Sequence, residues 1–156
     1  MKTRELQRIW WDWLSTAERL NRSLAEQQAA LTLRDAERIE EIQPELETML
    51  TRLNEIDQNA VTTMKLLAEQ WDTKPTLRSI VGVLPVAEAR QVEALANRLA
   101  MVGANLQERI TRNRMLIENE LSYVGGSLCL IAKAAQEQEG DFAAAQAGPI
   151  LVNQVA

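Results

Sequence analysis

Apolar side chains recur along this chain at spacings of three and four residues. In the first segment Leu6, Trp10, Trp13, Ala17, Leu20, Leu24, Gln27 and Leu31 follow one another at intervals of 4, 3, 4, 3, 4, 3 and 4. This is a heptad-like seam and predicts one helix over residues 3 to 32, about 45 Å long. Asp35 is a candidate cap for a short turn from Ala36 to Ile42. Pro44 then stands where a new helix tolerates proline, at its first position, so a break or kink is expected there. Beyond it Leu46, Met49, Leu53, Ile56, Ala60, Met64, Leu67 and Trp71 carry a second stripe to about Asp72, and Lys74-Pro75-Thr76 ends it.

Thr76 can cap a short helix from Leu77 to Leu84, whose Leu77, Ile80, Val81 and Leu84 suffice only to dock on a neighbour. Pro85 closes that helix. The longest pattern follows: Val92, Leu95, Leu99, Val102, Leu106, Ile110, Asn113, Ile117, Leu121, Val124, Leu128 and Ile131. It predicts a helix from about residue 86 to 136, about 76 Å if unbroken. After Gln136 the residues turn small and polar, so 137–156 reads as a flexible tail on a 1–136 bundle domain. Its apolar end, Ile150-Leu151-Val152 and Val155, is either a docking element or a loose terminus. Three long stripes bury themselves only against one another, which predicts an all-α, elongated, antiparallel bundle of three long helices plus one short helix.

Composition agrees with helix. The 156 residues include only 6 Gly, 4 Pro and 4 Trp beside one Tyr and one Phe, which leaves few turn-formers and strand-formers. Seventeen basic against 22 acidic side chains give a net charge of −5, unlike a general binder of nucleic acid or of anionic membranes. No apolar run reaches the roughly 18 residues of a membrane helix, and the basic start runs into Trp-Trp-Asp-Trp, unlike a secretory leader.

Candidate chemistry is sparse. Histidine is absent, which removes the usual general base, the Ser-His and Cys-His pairs and the commonest metal ligand. Cys129 is the only cysteine and reads as a small buried hydrophobe. The cluster of Asp35, Glu37, Glu40, Glu41, Glu45 and Glu47 alternates with apolar positions at helical spacing and reads as a solvated face, not a metal site. No enzyme template is met, and no cofactor or metal is expected. Asn113, on the third seam, either sets register or offers a polar contact to a partner. Arg109, Arg112 and Arg114 around it either steer an acidic helix or are simply solvated. Trp11, off the first seam, is an exposed anchor or marks a second packing face. Gly125-Gly126 either lets the end of the helix open at low cost or admits a neighbouring helix closely.

From Thr76 onward the run T-L-R-S-I-V-G-V-L-P, then A-L-A-N-R-L-A, then N-L-Q-E-R-I-T-R-N-R-M-L-I-E-N-E-L-S-Y-V and S-L-C-L-I resembles the FlgN family of flagellar export chaperones. The earlier E-L-E-T-M-L-T-R-L-N-E-I segment fits the same order, so the likeness covers roughly residues 14 to 132. Trp10, Trp11, Trp13 and Phe142 stand outside the pattern. The resemblance implies a cytoplasmic, non-catalytic protein. Such a protein would bind hook-filament junction proteins, keep their terminal helices from premature assembly and escort them to the type III export machinery. It also implies a partner-binding region at Leu106, Ile110, Asn113, Leu116, Ile117, Leu121, Tyr123, Val124 and Leu128. The alternative is a structural coiled-coil scaffold that self-associates as a homo-oligomer through its heptads.

Overall fold

The computed structural model describes residues 2–129, with the side chains of 120 and 122–129 excepted. The expected tail, and the helix beyond 129, lie outside the described residues. Four helices follow in order, α1 (Arg4–Leu33), α2 (Ala36–Gln70), α3 (Leu77–Gly82) and α4 (Val86–Cys129), with no strand among the described residues. The all-α bundle of three long helices and one short one is therefore what the chain adopts.

Every position of the first seam is buried on α1. A second stripe, Ile9, Leu14, Ser23 and Ala30, is buried beside it. The reason is that α1 is the central helix, packed against both α2 and α4. Arg52 pairs with Asp12 and Arg38 with Glu26, so α2 runs antiparallel to α1. Thr3 bonds Glu88 and Gln27 bonds Asn113, so α4 runs parallel to α1. Only a two-residue turn joins α1 to α2: Arg34 takes a left-handed φ of 54°, Asp35 N–H closes back on the Ala30 carbonyl, and the Asp35 carboxylate accepts from Arg38 N–H.

One expectation is corrected. No break occurs at Pro44: α2 is continuous from Ala36 to Gln70 with Pro44 inside it. Proline removes one intrahelical bond, to the Glu40 carbonyl, but Glu40 and Pro44 both face solvent, where water can serve that oxygen. Ile42 and Leu46, on either side, are both buried in the core and anchor the helix across the proline.

Thr76 does cap α3, its hydroxyl accepting from Ser79 N–H at 3.2 Å. The helix ends at Gly82 rather than Leu84, since Val83 and Leu84 donate to Ile80 and Val81 in tighter turns before Pro85. α3 bridges α2 and α4 at the end of the bundle near the two loops that carry it, with Ile80 fully buried. The six carboxylates from Asp35 to Glu47 are all exposed, as their spacing predicts.

Candidate functional site

Burial divides the resemblance-derived residues of α4 into three sets. Leu106, Asn113 and Ile117 are buried in the bundle. Ile110, Leu116 and Leu121 are half-buried. The side chains of Tyr123, Val124 and Leu128 lie outside the described residues. At 100° per residue Ile110 and Leu121 share one flank of α4, whereas Leu116 lies on the opposite flank. One seam in the sequence thus becomes a buried floor with two separate shoulders.

The shoulder carrying Ile110 faces a cleft between α2 and α4. Leu24 and Gln27 of α1 form its floor, Gln43, Leu46 and Leu50 of α2 one wall, and Ile110, Arg114 and Ile117 of α4 the other. The cleft holds a cavity of about 70 Å³, room for a few water molecules. Asn113 lies at its base, 2% exposed. Its amide nitrogen donates to the Leu24 carbonyl at 2.8 Å and to Gln27 Oε1 at 3.1 Å. The Leu24 carbonyl, which can only accept, fixes which end of the amide is nitrogen, and the two bonds tie α4 to α1 in register. The other end, Oδ1, is buried with no donor. An unmet buried acceptor costs about 1–3 kcal/mol.

The same offset places the rest of α4. Glu88 lies beside Thr3 and Asn113 beside Gln27, separations of 85 and 86 residues. Leu33, the last residue of α1, is therefore level with about Asn119. α4 continues to Cys129, so roughly ten residues, or about 15 Å of helix, extend beyond the α1–α2 turn.

Three further features were open or invisible in the sequence. Trp11 is 50% exposed and the Arg98 guanidinium stands over its ring at 5.3 Å, so it is a surface aromatic capped by a cation and not part of a second packed face. Arg112 is exposed and pairs with Glu108 on its own helix, while Arg109 and Arg114 are half-buried. Glu88 is buried and accepts from both Thr3 N–H at 2.8 Å and Thr3 Oγ1 at 2.7 Å. Those bonds hold its carboxyl below the usual carboxylate range. No local motif announces a contact between residues so far apart.

Among the described residues no group of His, Cys, Asp and Glu is placed to hold a metal ion, and no helix is long and apolar enough to cross a membrane. What the geometry offers is burial: a cleft lined by Leu and Ile side chains together with Gln27, Gln43, Asn113 and Arg114, next to a helix that outruns its neighbours. No curated protein and no solved structure matches the chain. The family described as FlgN protein matches residues 1–140, which takes in all four helices, and carries a general role as flagellar export chaperone. With that match over most of its length, the chain belongs to the FlgN family.

Proposed function

We propose that the chain binds hook-filament junction proteins through the C-terminal third of α4, keeps their terminal helices from assembling prematurely and escorts them to the type III export machinery in the cytoplasm. The observation that carries this reading is the overhang of α4, which leaves about 15 Å of helix without α1 or α2 beside it. A helix that extends past its neighbours can dock against another helix through its apolar positions. Terminal helices that polymerise through an apolar face offer the complementary stripe. The half-buried flank of Ile110 and Leu121 continues from the cleft toward that overhang.

Co-purification with a junction protein tests the reading. Leu121→Asp puts a charge on the flank without entering the core and should abolish capture while the helical signal is retained. Ile117 is a poor probe, because it is buried and its replacement would disturb the fold. Undiminished capture by a folded Leu121→Asp variant would remove the flank from the binding surface. Absence of capture by the unmodified chain, together with a tight dimer in light scattering, would favour the self-associating scaffold.

A further inference from the structure

We infer that the surface groove between the N-terminal halves of α1 and α4 is a second docking site, which takes a short extended peptide presenting a carboxylate to Arg98 and an apolar side chain to Trp11. Gln7 and Trp11 of α1 and Gln91, Ala94, Leu95 and Arg98 of α4 line a cavity of about 350 Å³ there. Arg98 lies roughly 35 Å along α4 from Leu121, at 1.5 Å per residue. The groove is therefore separate from the surface of the chaperone reading and does not depend on it.

Charge selects the occupant. Arg98 is the one charged residue in that lining. Its guanidinium stands over the Trp11 ring at 5.3 Å. It reaches Glu18 only at 3.7 Å, beyond hydrogen-bond distance, and both side chains are about half exposed. An exposed pair of this kind is weak. A guanidinium has five N–H donors in a fixed fork, so donors remain for an incoming carboxylate. Stacking on the indole holds the fork in place beforehand, which reduces the ordering cost of binding.

Size and lining supply the rest. One turn of helix, a cylinder about 10 Å across and 5.4 Å high, displaces roughly 420 Å³, more than this cavity offers. Side chains of an extended segment fit instead. Leu95, 6% exposed, provides an apolar floor, and the half-exposed Trp11 provides an aromatic wall of the kind that carries most of the energy of an interface. Gln91 is exposed on the rim, and its amide, both donor and acceptor, matches a peptide unit. A nucleotide also stacks on tryptophan and pairs with arginine, but Arg98 already covers a face of the indole and the chain carries a net charge of −5.

The test is a nuclear magnetic resonance titration of the full chain with two synthetic peptides, acetyl-Leu-Glu-Leu-amide and acetyl-Leu-Gln-Leu-amide, at low salt and neutral pH. The Trp11 indole N–H and the Arg98 Nε–H resonances should shift saturably, with half-saturation by the glutamate peptide at a concentration at least fivefold lower than by the glutamine peptide. Arg98→Gln should abolish that preference, and Trp11→Ala should weaken binding of both peptides. Both side chains are exposed, so helicity should be retained in each variant. No saturable shift with either peptide overturns the site. Equal binding of the two peptides, or a preference that survives Arg98→Gln, overturns the role of the guanidinium. Adenosine monophosphate is the third probe: if it shifts the same resonances at lower concentration than the glutamate peptide, the groove takes a nucleotide and the peptide assignment is wrong. None of these outcomes bears on capture of a junction protein, which is measured separately.

Discussion

The carboxylate of Glu88, near the start of α4, receives both the backbone N–H and the hydroxyl of Thr3, the residue that precedes α1. Thr3 makes no capping bond within its own helix, so an acid 85 residues away closes this end of α1 and fastens the two parallel helices together.

This contact makes stability depend on pH. The Thr3 bonds stabilise the charged form of Glu88 and lower its pKa from the ordinary 4.5. The unfolded chain therefore binds more protons than the native one across that interval. The contribution is complete above about pH 4.5 and is lost as pH falls through the lower native value. Urea melts from pH 7 down to pH 3 should show a loss that Glu88→Gln reduces. At pH 7 the same variant should be less stable by about 1–2 kcal/mol, the difference between charged and neutral acceptor bonds.

Adjacent tryptophans should differ sharply. Trp10 is buried in the core and Trp11 is half exposed under Arg98. Trp10→Ala is expected to cost about 3–5 kcal/mol. Trp11→Ala should cost no more than about 1 kcal/mol, the worth of an exposed cation–π contact. Denaturant melts of the two variants check the contrast.

Asp72 holds a left-handed φ of 49° just after the end of α2. A β-carbon is strained in that region, and a negative charge opposes the dipole at a helix C-terminus. Asp72→Gly should stabilise the fold by about 0.5–1 kcal/mol, read as a rise in Tm. An unchanged or lower Tm would contradict this account of the turn.

Leu99 is 1% exposed and belongs to the common core. Leu99→Ala should cost about 2–5 kcal/mol in equilibrium unfolding.

Periodicity identified the buried face of each long helix because a 3.6-residue repeat is a local property of the chain. How many neighbours a helix has is not local. Hence the second buried stripe of α1, Ile9 and Leu14 included, was not legible, since it exists only because α1 has partners on two sides. Pro44 misled for the same reason: a rule about isolated helices overlooks the grip of Ile42 and Leu46 on the core. At the candidate site the seam position of Asn113 was readable, and so was its polarity. Its partners Leu24 and Gln27, and the division of the neighbouring residues between floor and shoulders, depend on the parallel offset of α4 against α1, which no short motif encodes.

The two-residue turn at Arg34-Asp35 has a consequence for the order in which the bundle assembles. It makes α1 and α2 a local hairpin with little chain entropy lost on closure, whereas α4 must return across some 85 residues to reach Thr3 and Gln27. The hairpin should form in the rate-limiting step and α4 should settle afterwards. Substitutions at Leu53 and Leu20 would then slow folding, while those at Leu99 and Val92 would mainly speed unfolding, a division that chevron plots can resolve. A protein built in this order carries its last-docked helix as the one most easily loosened, and that helix is the one that forms a wall of the cleft.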